Sequence, residues 1–382
     1  MIFEEIINFI RSAFNTPQGL IQLHTPYFAG NERKYVLDTL DSTFVSSVGA
    51  YVNRFEEMMV EITGAKFAVA TVNGTTALHL ALILADVNQG DEVITQSLTF
   101  VATANAISFA GGIPVFVDVD KDTMGLSPSA LRNFLASHTE VNAEGICINK
   151  VSGRKIAACI PMHTFGFPLR IDEIKEICDA YNIKLIEDAA ESLGSYYKGK
   201  HTGSFGLLGT FSFNGNKIVT CGAGGAIVTN DEKIAKRAKH LSTTAKVPHQ
   251  WEFMHDEVGY NYRLPNITAA LACAQLERLD SFVENKRELA ATYKSYFDKV
   301  GVPFITEIEG AKANFWLNAL LMPNLEERNT FLKMANDNQV MCRPIWRLMN
   351  KLPMYQHCQT DSLENAGWLE ERVVNIPSSV RF

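Results

Sequence analysis

A single lysine, Lys217, stands in the stretch TFSFNGNKIVTCGAGGAIVT at residues 210–229, whose other side chains are small, apolar or uncharged. An amine that is partly removed from water loses its proton more readily, and it can then attack a carbonyl carbon to form a Schiff base. The phosphate-binding P-loop does not fit, because Asn216 separates Gly215 from Lys217. A dinucleotide fingerprint does not fit either, because the glycines at 222–226 have the wrong spacing. The stretch therefore favours amine chemistry.

The segment VNGTTALHLAL offers a place for an anion at the start of a helix. A strand-like run ends at Asn73 and Gly74, and a helical pattern begins at Thr75 and Thr76. Glycine lets a ligand approach the backbone closely, and the first turn of a helix has free N–H groups. Ser212, near the lysine in sequence, would add a hydroxyl. The alternative is an ordinary helix cap, since threonine is common at that position.

A carboxylate and an aromatic ring complete this set of residues. Glu187 and Asp188 close the apolar run KLIED, so that a carboxylate would point into the crevice beyond the strand. Phe100 lies between a strand-like run and a helical run, where its ring could stack on a flat ligand. Taken singly, the carboxylates also fit a surface turn, and Phe100 also fits core packing among 23 phenylalanines.

These four features together match the requirements of pyridoxal phosphate. Lys217 would hold the aldehyde, Asp188 would keep the pyridine nitrogen protonated, the helix start would hold the phosphate, and Phe100 would stack on the ring. We therefore expect pyridoxal 5'-phosphate as the cofactor, with pyridoxamine phosphate as its aminated form. We expect no metal ion.

The order of strands and helices explains how residues so far apart in sequence could meet. From about residue 50, apolar runs of strand length alternate with helical runs, as in FAVATVN, TTALHLALILA and DEVITQ. This alternation predicts an α/β fold whose mostly parallel sheet is covered on both faces. Ligands of such sheets bind beyond the carboxyl ends of the strands, and the residues named above follow strand-like runs.

The same pattern suggests three segments of the chain. Residues 1–22 contain apolar residues at helical spacing and predict a helical extension. Residues 23–265 would form a large cofactor-binding domain. Residues 266–382, which open with long helical runs and continue with shorter strand-like pieces, would form a smaller α+β domain.

Length and composition exclude several other classes of protein. The chain has 382 residues and a net charge of −7, which provides no cationic field for nucleic acid. Its seven cysteines are odd in number and form no CxxC pair, which indicates reduced thiols in a cytoplasmic protein rather than disulfides or a zinc site. No apolar run reaches membrane-spanning length. Glu4 and Glu5 stand where a signal peptide would carry positive charge.

The segments SFNGNK, GAGGAIVT, EDAAES, NGTTALHLAL and GYNYRLPNI together resemble the DegT/StrS family of nucleotide-sugar aminotransferases. The resemblance runs from about residue 22 to the C-terminus. It implies an aspartate aminotransferase-like type I fold, with a sheet of the seven-stranded type in the large domain. It also implies a homodimer with shared active sites, because Asn261 matches the asparagine that this family supplies to the phosphate of the neighbouring subunit.

The resemblance implies a role for each matching residue. Lys217 matches the Schiff-base lysine, and Asp188 matches the partner of the pyridine nitrogen. The stacking residue and the phosphate ligands are matched by Phe100, Thr75, Thr76 and Ser212.

Two further positions are implied to lie near the cofactor. Glu191 falls where the family usually has glutamine or histidine beside the ring hydroxyl, which is a departure from the pattern. His163, in the segment PMHTFG, falls at a strand end close to the cofactor and is a candidate for substrate contact.

Further segments, including RPIWRLMNKLPMY and the closing NIPSSV, resemble the branch that acts in legionaminic acid and related bacterial surface-sugar pathways. That resemblance implies amino transfer from L-glutamate to C4 of a UDP-linked 2-acetamido-2,6-dideoxy-4-keto-hexose. Arg343, Trp346 and Arg347 are candidate contacts to the diphosphate, because they combine basic charge with an aromatic ring.

Two alternatives to amino transfer have to be considered. Sugar dehydratases of this family carry histidine in place of the lysine, whereas this chain has Lys217. A fold relative that serves as a regulator or a scaffold would have no need for the lysine, the aspartate or the predicted anion site at the start of the helix.

Overall fold

The computed structural model describes residues 2–381. Within this range the α-helices are α1 (Ile2–Ala13), α2 (Glu32–Asp41), α3 (Ala50–Thr63), α4 (Gly74–Leu84), α5 (Val101–Phe109), α6 (Pro128–His138), α7 (Ile171–Ala180), α8 (Glu232–Ser242), α9 (Asn266–Leu276), α10 (Leu279–Val300), α11 (Leu325–Asp337) and α12 (Glu364–Glu370). Short 3-10 turns occur at Thr164–Gly166 and Met349–Lys351.

The strands described in the same range include seven that belong to small ladders outside the two larger sheets. The strands are β1 (Phe67–Thr71), β2 (Glu92–Gln96), β3 (Ile113–Val117), β4 (Thr139–Val141), β5 (Cys147–Asn149), β6 (Ile156–Ile160), β7 (Lys184–Asp188), β8 (Tyr196–Tyr197), β9 (Lys200–His201), β10 (Leu208–Ser212), β11 (Gly225–Thr229), β12 (Lys246–Val247), β13 (Met254–His255), β14 (Ala311–Lys312), β15 (Asn318–Leu321), β16 (Arg343–Pro344) and β17 (Val373–Ile376).

The central sheet confirms the predicted α/β fold. Its seven strands, in the part of the chain described, lie in the order β1-β11-β10-β7-β6-β2-β3. The pairs from β10 to β3 are parallel, whereas β11 runs antiparallel to both β1 and β10. Six strands therefore share one direction, and their carboxyl ends meet at one edge of the sheet.

Side chains on both faces of the sheet are buried, which explains the largely apolar strands β1, β3, β6 and β11. Val93 and Ile94 are neighbours in β2 and are both buried, but they belong to different core clusters. Val93 packs in the cluster that contains Leu78 of α4, and Ile94 packs in the cluster that contains Phe134 of α6. Successive residues of a strand point to opposite faces, so helices cover both sides of this sheet.

A second, smaller core lies around the sheet β15-β17-β16. Ile6 and Ile10 of α1 pack there against Phe297 of α10 and Phe331 of α11. The predicted N-terminal helix is therefore present, and it belongs to this smaller unit.

Helix α9 was predicted to belong to the smaller domain, but it packs against helices of the large one. It contacts α2 and α3, and the side-chain oxygen of Asn266 accepts a hydrogen bond from the amide of Tyr51 at 3.1 Å. The limits 1–22, 23–265 and 266–382 remain a prediction. We propose that α9 belongs with the large domain and that the smaller domain begins with α10.

Two further expectations concern cysteines and membranes. All seven cysteines, which lie within the described residues, are buried and free. Among residues 2–381, the helices are either too short or too polar to span a bilayer.

Candidate active site

A cavity of about 420 Å³ opens beyond the carboxyl ends of the parallel strands. Thr75 lines it just after β1, Phe100 after β2, Asp188 at the end of β7 and Ser212 at the end of β10. Lys217, in the loop after β10, also lines the cavity. The sheet therefore brings these five predicted residues together at the edge where such folds bind ligands. The volume suits a small organic molecule.

The side chain of Lys217 lies between a carboxyl group and an aromatic ring. Its Nζ is 3.1 Å from Oε1 of Glu191 and 4.1 Å from the ring centre of Trp316. The indole N–H of Trp316 donates to the backbone oxygen of Asn216 at 2.7 Å, which fixes the ring beneath the lysine. Only 12% of the lysine side chain is exposed, so its amine points into a partly dry space.

Asp188 is a buried carboxylate that forms part of the cavity wall. The hydroxyl of Thr103 donates to its Oδ2 at 2.7 Å, and the amide of Ala190 donates to its Oδ1 at 3.2 Å. Burial raises the pKa of Asp188 above its ordinary value, although these two donors and the charge of Lys217 oppose that shift. A cation placed against Asp188 in the cavity would remove the cost of ionising it.

Glu191 is the second buried carboxyl group of the site. Its Oε2 accepts the amide N–H of Phe165 at 2.8 Å, while Oε1 faces Lys217. Burial raises the pKa of Glu191 to about 7, against the opposing effect of Lys217, and the nearby charge of Asp188 adds to the rise. This carboxyl group therefore changes its charge near neutral pH.

The start of α4 forms the predicted cup for an anion. The amides of Gly74 and Thr75 have no acceptor among the described residues, and both face the cavity. A Cβ atom on Gly74 would lie 2.8 Å from the Cβ of Ser212, so only glycine allows the turn to sit this close to β10. Backbone donors and the hydroxyl of Ser212 thus surround one point.

Thr76, predicted as a phosphate ligand, belongs to the cap of α4 and is not among the residues that line the cavity. Its amide donates to Oδ1 of Asn73 at 2.9 Å, and its hydroxyl donates to the backbone oxygen of Asn73 at 2.8 Å. The amide of Asn73 in turn reaches the hydroxyl of Thr76, which completes a capping box. The hydroxyl and amide of Thr76 are both used to hold the turn, and the donors left for an anion belong to Gly74 and Thr75.

Aromatic rings form another wall of the cavity. Phe100 is 48% exposed although it is apolar, and it precedes α5 at the cavity edge. Trp346 lies 6.2 Å from Phe100 and 5.0 Å from Phe165, measured between ring centres. An exposed flat ring at this position is available for stacking on a bound ring.

His163, predicted as a candidate substrate contact, does not line the cavity. It is fully buried, and its Nε2 lies 3.2 Å from Oε2 of Glu187. Glu187 also accepts backbone N–H groups from Gly203, Phe205 and Gly206. Residues 187 and 188 are neighbours in β7 and point to opposite faces, so Glu187 and His163 stabilise the fold behind the site.

Arg343 and Arg347 also lie away from the cavity, whereas Trp346 lines it. Arg343 is exposed and donates to Oδ1 of Asn336 and to the backbone oxygen of Cys342. Arg347 lines a separate surface depression together with Lys351. Both arginine side chains are exposed and neither is among the residues that line the cavity of this chain, so a contact from either of them to the substrate stays a prediction.

Asn261 is exposed and is not among the residues that line the cavity of its own chain. This position is compatible with a contribution to another subunit.

Sequence reasoning missed two residues of the site, Thr103 and Trp316. Thr103 lies one helical turn after Phe100, so a search for donors facing the strand-end carboxylate could have found it. Trp316 lies 99 positions after Lys217 in sequence, and no local pattern links the two.

The residues of the cavity fit pyridoxal phosphate. The free amides of Gly74 and Thr75 suit its phosphate. Asp188, a buried carboxylate with no salt-bridge partner among residues 2–381, suits its protonated ring nitrogen. The amine of Lys217 lies in the same cavity.

Comparison with known proteins also indicates a pyridoxal phosphate-dependent aminotransferase. The model of the DegT/DnrJ/EryC1/StrS aminotransferase family matches residues 26–382. EpsN of Bacillus subtilis (strain 168), whose name assigns it provisionally as a pyridoxal phosphate-dependent aminotransferase, is 40% identical over 91% of this chain and 87% of its own length. The GDP-perosamine synthase of Escherichia coli O157:H7 is 36% identical over 94% of this chain and 93% of its own. The solved structure of the aminotransferase TlmJ from Streptoalloteichus hindustanus has a TM-score of 0.85 at 26% identity, covering 94% of both chains. The protein therefore belongs to the DegT/DnrJ/EryC1/StrS aminotransferase family.

Proposed function

We propose that this protein, a pyridoxal phosphate-dependent aminotransferase, transfers the amino group of L-glutamate to C4 of a nucleotide-linked 4-keto-6-deoxy-hexose. One observation carries the proposal: the amine of Lys217 and the buried carboxylate of Asp188 face the same cavity, beside a helix start with free amides. The lysine argues against the dehydratase alternative. A scaffold would have no use for a buried carboxylate beside a cavity, because an unpaired buried charge is costly.

The residues of the chain divide the work as follows. When bound, the cofactor supplies an electron sink for the carbon that carries the amino group. Asp188 holds the proton on the ring nitrogen, and the amides of Gly74 and Thr75, with Ser212, hold the phosphate. The amine of Lys217 takes the proton from the amino-bearing carbon and returns it at the next step, as a general base and acid. Phe100 stacks on the ring.

The nucleotide of the sugar substrate has two candidates. The first is UDP, attached to a 2-acetamido-2,6-dideoxy-4-keto-hexose, as the resemblance to the legionaminic acid branch implies. The second is GDP, because a relative that is 36% identical over 94% of the chain is named GDP-perosamine synthase. Trp346 lies at the cavity wall and is the residue we expect to pack against the sugar.

The proposal includes a cytoplasmic homodimer with shared active sites. Asn261 is exposed and pairs through the backbone with Thr243, close to the hairpin of β12 and β13. Large apolar side chains are exposed on and beside this hairpin, including Trp251 at 71%, Phe253 at 78% and Val258 at 83%. Exposed apolar surface of this kind is typical of a protein interface.

The experiment is a visible absorption spectrum of the purified full-length protein, titrated with L-glutamate and then with each 4-keto sugar. We expect a yellow band that L-glutamate bleaches and that one nucleotide sugar restores. The variant Lys217→Ala should show no multiple-turnover transamination, because it lacks the amine that moves the proton. The UDP-linked and GDP-linked sugars, tested side by side, identify the nucleotide.

Three results would contradict the proposal. The absence of a band after addition of pyridoxal phosphate would remove the cofactor from this site and support the scaffold alternative. A band that L-glutamate leaves unchanged would exclude glutamate as the donor. Appreciable multiple turnover by Lys217→Ala would exclude the lysine as the proton carrier.

A further inference from the structure

The two carboxyl oxygens of Glu191 have different partners. Oε1 lies 3.1 Å from Nζ of Lys217, and Oε2 accepts the amide N–H of Phe165 at 2.8 Å. Only 1% of the Glu191 side chain is exposed, so water cannot readily take the place of either partner. One oxygen is therefore anchored by the backbone, and the other is left with the amine.

The backbone anchor is held firmly in place. Phe165 has a φ of 56°, which is unusual for a large side chain and costs about 1–3 kcal/mol. Its ring is buried and lies 5.0 Å from the ring of Trp346 and 6.4 Å from that of Trp316. This packing keeps the amide of residue 165 directed at Oε2 of Glu191, which leaves Oε1 facing Lys217 in this structure.

Two charged groups act on Glu191 inside the site. Lys217 favours the ionised carboxylate, whereas Asp188 disfavours it. The remaining buried pair, His163 and Glu187, is engaged with itself on the far side of β7. Because Lys217 is the one cation in contact with Glu191 within the described residues, loss of its charge removes the main support for the ionised form.

We propose that Glu191 accepts the proton that Lys217 gives up when its amine becomes a nucleophile, and returns it when the lysine is released as an ammonium ion. This inference rests on the proposed function for the role of Lys217. In the transfer an N–H bond of Nζ breaks and an O–H bond forms at Oε1. The electron pair stays on the nitrogen, so no oxidant or reductant takes part. Glutamine at this position could not perform the step, because its amide does not accept a proton at neutral pH.

A carboxyl group that shares a proton with Lys217 must change the pH at which the amine reacts. The test uses the full-length chain after removal of the cofactor, treated with formaldehyde and a borane reductant over a range of pH. Mass spectrometry then measures methylation of Lys217 itself. In Glu191→Gln the half-maximal reactivity should move to lower pH by about 1 to 3 units, because the ammonium form loses its anionic partner.

The same samples contain an internal control. Lys239 pairs with Glu56 at 2.5 Å on the surface, far from this substitution in sequence, so its pH profile should be the same in both proteins. An unchanged profile for Lys217 in a folded Glu191→Gln variant would overturn the inference, since a carboxyl group that only supports the fold leaves the amine unaffected.

The reciprocal variant, Lys217→Met, tests the other partner and does not depend on the folding of Glu191→Gln. Carbon-13 NMR of the glutamate carboxyl groups should show that Glu191 titrates at a higher pH in Lys217→Met than in the unsubstituted protein, because Lys217 favours the ionised carboxylate. An equal or lower titration pH in the variant would contradict the proposal. Neither measurement involves transamination, so a failure of the glutamate half-reaction is distinguishable from a failure of this inference.

Discussion

At the scale of single residues, two carboxyl groups on one turn have different surroundings. Asp188 and Glu191 are both buried, and burial raises the pKa of each. Asp188 receives a hydroxyl and an amide, which favour its charged form, whereas Glu191 faces the amine of Lys217. The first is therefore suited to pair with a bound cation, and the second is suited to exchange a proton.

The hydroxyl of Thr103 is the contact to Asp188 that a single substitution can remove. Thr103→Val keeps the shape of the side chain but leaves Oδ2 without its donor at 2.7 Å. The pKa of Asp188 should rise further, and the affinity for pyridoxal phosphate should fall about 10-fold or more, since hydrogen bonds to charged groups contribute about 1.5–3 kcal/mol. Fluorescence titration of the cofactor measures this loss.

Thr103→Ser is the matched control for that prediction. Serine retains the hydroxyl, so it should restore most of the cofactor affinity. Equal affinity of the valine variant and the unsubstituted protein would mean that Asp188 does not depend on this donor.

At the scale of elements, the site is made by the ends of strands and the starts of helices. Helix α4 begins directly after β1, and its free amides meet the end of β10 at Ser212. Parallel strands place such ends at one edge, and each following helix starts there. The loop that follows β10 then carries Lys217 back over the same edge.

The cap of α4 and its free donors should be separable by substitution. Asn73→Ala removes the acceptor of the Thr76 amide and opens the capping box, so it should lower the free energy of unfolding by about 1 kcal/mol and also weaken cofactor binding. Thr75→Ala leaves the cap and the free backbone amides intact and removes only the side-chain hydroxyl at the cavity, so it should weaken cofactor binding moderately with little change in unfolding. Urea denaturation and cofactor titration measure the two quantities.

The opposite pattern would contradict this division of roles. If Thr75→Ala lowered stability as much as Asn73→Ala, the threonine would belong to the cap and not to the anion cup.

At the scale of the whole molecule, the smaller unit completes the wall of the cavity. The segments that carry Trp316 and Trp346 flank β15 and β16, and both rings line the cavity of the large domain. The ammonium group of Lys286, fully buried on α10, donates to the backbone oxygens of Phe315, Trp316 and Ser378. This contact joins α10 to the loop that holds Trp316 beneath Lys217.

A second subunit should complete the site through Asn261. We expect Lys217→Ala and Asn261→Ala to be impaired when each is tested alone. If Asn261 acts across the interface, mixing the two variants after reversible dissociation should restore about a quarter of normal activity. The reason is that about half of the dimers are then hybrids, and each hybrid has one intact site out of two. Each variant mixed with itself is the control, and recovery no greater than in those controls would place Asn261 outside the partner's site.

Local patterns in the sequence predicted most of the large domain. A strand buried on both faces appears as a short apolar run, and a helix with one buried face has apolar residues at helical spacing. The patterns also selected Lys217, Asp188 and Phe100 correctly as residues of one cavity. His163, Arg343 and Arg347, which were also selected, do not line the cavity of this chain, since position after a strand does not determine where a side chain points. His163 is buried against Glu187, and the two arginines are exposed, Arg343 on the short strand β16 and Arg347 in the segment that follows it.

The sequence by itself determined the order of strands and helices, the lysine and aspartate of the site, and the glycine-containing turn that admits an anion, because each depends on neighbouring residues or on a motif. Only the tertiary structure decided that Trp316 lies against Lys217 and that Phe165 anchors Glu191, 26 positions away. These contacts join segments that are distant in sequence, and they depend on how the smaller unit packs over the sheet. Desolvation also depends on that packing, so the raised pKa of Glu191 is a property of the fold and not of the motif EDAAES.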